Sequence, residues 1–206
     1  MIKLVIFDLD GVLVDSKDLH YQALNMAIAD VNEDWVISYE DHLANYNGNP
    51  TSVKLRILSE KYSAIRDVDI IEISERKQEY TKTLINNIDL DQELVDVFEW
   101  LKANDYFIAV ASNSVRNTVG TILDKIGVMP LVDVAISCED VEKPKPSPEI
   151  YWRCMSRLSV DPEATVILED SEIGHRGALD SGGKLVRVGS RKDITLEWIK
   201  ELLSND

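Results

Sequence analysis

The chain has 206 residues, 45% of them hydrophobic, and 22 Lys and Arg against 37 Asp and Glu give a formal charge of −15. That length suits one full core plus a small second domain, and the acidity disfavours a nucleic-acid groove or an anionic membrane surface as partner. No stretch approaches the ~20 consecutive apolar residues of a membrane helix, no basic-then-apolar leader opens the sequence, and Cys138 and Cys154 form no Cys-x-x-Cys pair, so a cytoplasmic protein with two free thiols is expected.

Ile2, Leu4, Val5, Ile6 and Phe7 form a short apolar run that reads as a buried strand of a parallel sheet. The run leads straight into Asp8-Leu9-Asp10-Gly11. Two carboxylates one residue apart at a backbone turn repel each other, and partial burial strengthens the repulsion. A hard divalent cation with oxygen ligands relieves it. About ninety residues then precede the next strand, far more than one crossover needs. Most of them read as helix, over 17–31, 39–44, 50–62 and 68–87, with a loop at Asn45-Tyr46-Asn47-Gly48-Asn49-Pro50. This insert, 16–87, is expected to be a helical cap over the carboxyl edge of the sheet, where α/β folds bind ligands. Residues 1–15 and 88–206 form the core.

In 91–104, Leu94, Val97, Phe98 and Leu101 fall on one helical face. A strand at 106–111, a helix at 115–126, a strand at 132–136, a helix at 147–158, a strand at 165–168, a helix at 173–181 and a shorter strand at 184–188 follow. Asp161-Pro162 and Gly182-Gly183 punctuate them. The alternation predicts an α/β fold, a parallel sheet with helices on both faces.

Polar clusters follow these strands. The first leads into Asp8 and Asp10, and the second into Ser112-Asn113-Ser114. The third leads, a few residues on, into Lys143-Pro144-Lys145-Pro146-Ser147-Pro148-Glu149-Ile150-Tyr151, and the fourth into Glu169-Asp170-Ser171. In a parallel sheet all four lie along one edge. Oxygen-rich ligation without a His or Cys set selects Mg²⁺. A lysine, hydroxyls and backbone N–H groups hold phosphate oxygens. A metal, a phosphate cradle and a carboxylate nucleophile together make a phosphoryl-transfer site, so the expected partner is a small phosphorylated metabolite.

These four clusters, in this order, resemble the motif set of the haloacid dehalogenase-like (HAD) phosphohydrolase superfamily, whose core is a Rossmann-like sheet. Asp-x-Asp-Gly-x-x-x-Asp-Ser spans 8–16, and Glu-Asp-Ser-x-x-Gly spans 169–174. The resemblance implies that Asp8 is the nucleophile and that Asp10 is the general acid/base, with Asp8, Asp10, Asp170 and Glu169 making up the metal site. Ser112 and the Asn113 backbone N–H would hold phosphate. Lys145 would balance Asp8 and the phosphate; Lys143 competes for that role, but the spacing to Pro148 and Tyr151 favours Lys145. Dehalogenases lack an acid at the position of Asp10, so its presence favours an oxygen leaving group.

The resemblance is closest to the branch with a small helical cap, which includes sugar-phosphate phosphatases and β-phosphoglucomutase. There, a histidine at the position of His20 sits near the acid/base. The loop 45–52, with Asn45, Asn47, Gly48 and Asn49, is the expected specificity loop. Lys54 and Arg56 are the cations near it, and Arg116 and Asn117 are candidate phosphate or sugar contacts. The chain departs from the pattern at Gly174-His175-Arg176-Gly177-Ala178. Gly177 costs a helix ~1 kcal/mol against alanine, and His175 either satisfies a core hydrogen bond or reaches the substrate. The expectation is a monomeric Mg²⁺-dependent phosphatase of a small phosphate monoester, of a sugar or related metabolite, acting through phospho-Asp8. A phosphomutase would use the same core residues, and a catalytically silent binding protein would share the fold.

Overall fold

The computed structural model describes residues 1–204, which hold one five-stranded sheet: β1 (Leu4–Phe7), β2 (Phe107–Ala111), β3 (Val134–Ile136), β4 (Thr165–Glu169) and β5 (Lys184–Arg187). All neighbours are parallel, in the order β3-β2-β1-β4-β5. β1 is central, with Leu4 opposite Phe107 on one side and Thr165 on the other. Every residue of β1 and β4 is buried, which is why both read as unbroken apolar runs rather than alternating ones. β3 starts at Val134, two residues later than the apolar run suggests, because Met129–Leu131 winds into a 3₁₀ turn and Asp133 Oδ2 accepts from Ile108 N at 2.8 Å.

By backbone contacts the chain divides into two compact units, one from Met1–Asp15 together with the chain from Ile88 onward, the other Ser16–Asn87. The inserted unit comprises α1 (Lys17–Ala29), a one-turn α2 (Tyr39–Asp41), α3 (Thr51–Lys61) and α4 (Asp67–Ile85). Its own core gathers Leu24, Ala27, Ile28, Ile37, Tyr46, Leu55, Leu58 and Ile73. Asn25 ties the chain after α1 to that helix, donating to Ile37 O at 2.8 Å and accepting from Ile37 N at 3.0 Å. α2 does not give way to a loop at residue 45. It runs into a π turn over His42–Tyr46, closed by Asn47 N donating to His42 O at 2.8 Å.

The larger unit carries α5 (Gln92–Ala103), α6 (Arg116–Lys125), α7 (Glu149–Leu158), α8 (Glu172–Ser181) and α9 (Leu196–Ser204). Alternate residues of β1 face opposite sides of the sheet. Leu4 and Ile6 join Ile150, Tyr151, Cys154 and Met155 of α7 and Ala178 of α8 in one cluster. Phe7 points the other way, with its ring 4.9 Å from that of Phe98 on α5. Helices therefore cover both faces. Neither cysteine is in a disulfide; burial pushes the Cys154 thiol up to about 12, so it packs as a small apolar group. No helix of the described residues is long and apolar enough to cross a membrane.

Candidate active site

The carboxyl ends of the three inner strands supply the site. β1 continues into Asp8, whose N–H donates to Leu168 O of β4 at 2.9 Å, so the sheet ladder itself fixes the Asp8 backbone. Beyond it the chain winds tightly: Leu13 and Val14 N–H both donate to Leu9 O, and Gly11 N donates to Val14 O at 2.7 Å. Leu9, Val12 and Leu13 are buried and anchor this loop. Gly11 has φ +100°, and a Cβ there would overlap the Asp170 carboxylate, so glycine is needed both for conformation and for room.

Lys145 is the hub. Its ammonium has three donors, and each finds an acceptor: Asp8 Oδ1 at 2.6 Å, Ala111 O at the end of β2 at 2.7 Å, and Glu169 Oε1 at the end of β4. One side chain thereby ties three strands together. The backbone of Lys145 is held as well, its N–H donating to Asn113 Oδ1 at 3.0 Å and its carbonyl accepting from Asn113 Nδ2 at 3.2 Å. The resemblance gives the Asn113 backbone N–H a role in holding phosphate; its side chain has this second task.

Glu169 is fully buried. Besides Lys145, it accepts from the Tyr151 hydroxyl at 2.6 Å, and its backbone carbonyl receives His175 Nε2 at 3.2 Å. The Tyr151 ring also lies 5.3 Å from the Lys145 ammonium. Tyr151 enters from the buried face of α7, beside Ile150, Cys154 and Met155. A Cβ at Gly174 would overlap the Glu169 carboxylate, and one at Gly177 would lie 3.1 Å from Pro146 O, Ser147 O and the Tyr151 ring. The helix-weakening Gly177 thus lets α8 close on the Lys145 loop, with the Tyr151 ring packed into the space a side chain would take.

Asp8, Glu169 and Asp170 offer carboxylate oxygens that all lie within 4.8 Å of one another. Burial pushes the Asp8 carboxyl well above its ordinary range; Glu169, Asp10 and Asp170 add to that, and Lys145 opposes it. Burial alone would lower the Lys145 pKa, but Asp8, Glu169 and Tyr151 outweigh it and hold the ammonium well above its usual value. Three carboxylates, two buried and one half-buried, against one ammonium make an acidic donor set. An all-oxygen, anionic donor set of this kind fits a hard divalent ion such as Mg²⁺.

The Asp10 carboxylate stands outside that trio. It accepts from Ser114 Oγ at 2.9 Å and Ser112 Oγ at 3.4 Å. Ser112 is fully buried, and its Oγ also accepts from Ser114 N at 3.0 Å. The structure thus gathers Asp8, Asp10, Ser112, Asn113, Lys145, Glu169 and Asp170 at one sheet edge. Arg116 is turned elsewhere, into an exposed ion pair with Asp140 at 2.7 Å. In the inserted unit His20 and Lys54 are buried, Asn47 caps the π turn through its N–H, and Asn49 Nδ2 donates to Asn45 O at 3.2 Å.

Two polar residues of the inserted unit stand out that sequence reasoning passed over. Lys77, on α4, is buried. His42 is fully buried with neither ring nitrogen hydrogen-bonded, and the Tyr46 hydroxyl one turn on is also unpartnered. Burial, then Lys54 and His20, bring the His42 pKa down to about 4, so its ring is neutral at pH 7.

The profile described as haloacid dehalogenase-like hydrolase matches residues 5–188. A curated relative from Thermotoga maritima, "Phosphorylated carbohydrates phosphatase", is 29% identical over 184 residues, covering 86% of this chain and 81% of its own. The crystal structure of CbbY from Rhodobacter sphaeroides in complex with phosphate superposes with a TM-score of 0.82 at 27% identity, covering 90% of this chain and 85% of the other. β-Phosphoglucomutase from Clostridium difficile gives a TM-score of 0.81 at 23% identity over 100% of this chain and 98% of its own, a likeness of fold.

Proposed function

This chain belongs to the haloacid dehalogenase-like hydrolase family, and from that premise we propose that it is a Mg²⁺-dependent phosphatase of small phosphorylated sugars. The observation that carries the reading is the buried Lys145 bridging Asp8 and Glu169 beside Asp170. Asp8 is the one carboxylate of the trio at the mouth of the central strand, and it is the nucleophile. Its attack on phosphorus forms an aspartyl-phosphate and expels the sugar alkoxide, which Asp10 protonates. Asp10 then takes a proton from water as that water attacks the aspartyl-phosphate, returning Asp8 and releasing inorganic phosphate. Lys145 holds Asp8 in place and offsets charge on the phosphoryl oxygens. Ser112 and Ser114 aim Asp10. Asp8, Asp170 and Glu169 would hold Mg²⁺, which supplies Lewis-acid neutralisation of the phosphoryl group.

The substrate class rests on the relatives. One is named as a phosphatase of phosphorylated carbohydrates, and another, from Escherichia coli, as a fructose-1-phosphate phosphatase. Residues 45–52 of the inserted unit, with their asparagine amides, suit sugar hydroxyls, and we assign recognition to that unit. The test is phosphate release from a panel of sugar phosphates, with Mg²⁺ and with EDTA. Metal-dependent release from sugar monophosphates is expected. Conversion of a hexose 1-phosphate into its 6-phosphate without free phosphate would replace the hydrolase by a mutase. No metal-dependent turnover on any phosphoester would leave a binding protein.

A further inference from the structure

We propose that Asn113 is a positioning residue of the active site: its side-chain amide clamps the Lys145 backbone and so holds the ammonium against Asp8. The inference rests on the phosphatase reading and adds to it a side chain that the chemistry, as written, does not use.

The segment that carries Lys145 is poor in backbone donors. It is a turn before α7, outside any helix or strand. Pro144 and Pro146 flank Lys145, and proline has no backbone N–H. The Lys145 N–H is therefore the one backbone donor of three residues, in a residue only 4% exposed, where an unpaired amide is costly. Asn113 Oδ1 accepts from that N–H at 3.0 Å, and Asn113 Nδ2 donates to Lys145 O at 3.2 Å. The carboxamide gives Lys145 the pair of hydrogen bonds that a neighbouring strand would otherwise supply.

The clamp is itself anchored. Ser112 N donates to Ile136 O at 3.0 Å, and Cys138 N donates to Ser114 O at 3.2 Å. The end of β3 and the turn after it thus hold the residues on both sides of Asn113. At its tip, Lys145 Nζ donates to Asp8 Oδ1 at 2.6 Å and to Ala111 O at 2.7 Å. Ala111 ends β2, two residues before Asn113. The lysine is therefore gripped at its backbone and at its ammonium by the same strand end, which sets its reach across to β1.

The next residue works on the other side of the reaction. Ser114 Oγ donates to Asp10 Oδ2 at 2.9 Å. Consecutive residues of one loop thereby aim the two halves of the chemistry, Asn113 the lysine that holds the nucleophile and Ser114 the acid/base. Without the carboxamide the ammonium keeps its acceptors, but the backbone beneath it is released. A misplacement of about 1 Å transmitted to a reacting group costs up to about 10²-fold in rate.

The test compares two variants of the full chain. Asn113→Ala removes both hydrogen bonds; Asn113→Asp keeps the shape but sets a carboxylate oxygen against Lys145 O. Hydrogen exchange at the Lys145 amide is followed by NMR in EDTA, and kcat and KM are measured on the sugar phosphate that the panel identifies, well below the denaturation midpoint. In Asn113→Ala the amide should exchange about fivefold faster or more. In both variants kcat should fall about tenfold with KM within about twofold of wild type, a split that a merely structural role would not produce. A Lys145 amide that exchanges at the wild-type rate in Asn113→Ala, a kcat within about twofold of wild type in either variant, or a loss carried by KM alone would each overturn the proposal. An active wild type with indifferent Asn113 variants ends this inference alone, whereas a wild type that turns over no phosphoester ends the phosphatase reading and this inference with it.

Discussion

The Lys145–Glu169 cluster of the larger unit and the His42–Tyr46 turn of the inserted unit treat buried polarity in opposite ways. In the larger unit the buried Lys145 satisfies all three donors, and buried Glu169 is gripped by Lys145 and Tyr151 at once. In the inserted unit His42 is as deeply buried, yet both its ring nitrogens and the nearby Tyr46 hydroxyl lack hydrogen-bond partners. An unmet buried polar group costs about 1–3 kcal/mol. A fully paired cluster is rigid and ready before anything binds, which suits chemistry that must place charge accurately. The His42 and Tyr46 atoms, buried and unmet, instead make that turn a place where the inserted unit gives up stability. The proposed function assigns reaction to the first and recognition to the unit that carries the second.

Substitutions can break this contrast at its strong end first. Asp8→Asn removes the nucleophile and should abolish phosphate release, a loss of about 10³-fold or more; a rate near wild type in a folded variant would remove the mechanism. Asp10→Asn should lower turnover by about 10²–10⁴. Since the Asp10 carboxylate lies outside the trio, Mg²⁺ affinity by calorimetry should change little, and a collapse of affinity would put Asp10 among the ligands. Tyr151→Phe keeps the packing and deletes one hydrogen bond to a buried carboxylate, about 1.5–3 kcal/mol. It should weaken Mg²⁺ binding about tenfold with the fold intact, and unchanged affinity would show that Lys145 alone positions Glu169.

The smallest effect tests the inserted unit. His42 has a pKa near 4 folded and near 6.5 unfolded. Between these values the unfolded chain binds the extra proton, so stability is full above pH 6.5 and falls as the pH drops towards 4. The loss is on the order of 3 kcal/mol at most. Denaturation midpoints at pH 7 and pH 4.5 should differ more in the wild type than in His42→Gln; equal differences would mean that His42 is not the group responsible.

Much of the larger unit is legible in the sequence because its inner strands are buried on both faces. An apolar run bounded by turn residues leaves little choice for β1, β2 and β4, and parallel pairing sends their polar successors to one edge. Asp8, Asp10, Ser112, Lys145, Glu169 and Asp170 could be placed together on that ground. What stayed hidden depends on side-chain direction. Asn113 reads as a turn residue until its amide is seen clamping the Lys145 backbone. Tyr151 serves in the sequence only as a spacing mark that favours Lys145, until its hydroxyl meets Glu169. Gly177 looks like a flaw in α8 until Pro146, Ser147 and Tyr151 are found against it. The π turn at His42–Tyr46 shifts the helical phase by one residue, which periodicity over so short a stretch does not reveal.

The insertion departs and returns between β1 and β2, two strands that are direct sheet neighbours, with Leu4 opposite Phe107. That pairing is set by the strands alone and makes no demand on what the intervening chain encodes. The inserted segment can therefore be altered or replaced without breaking that pairing, which would change what is admitted while the engine stays the same. Divergence should accordingly concentrate between positions 16 and 87, leaving the ends of the inner strands as the slowly changing record of descent.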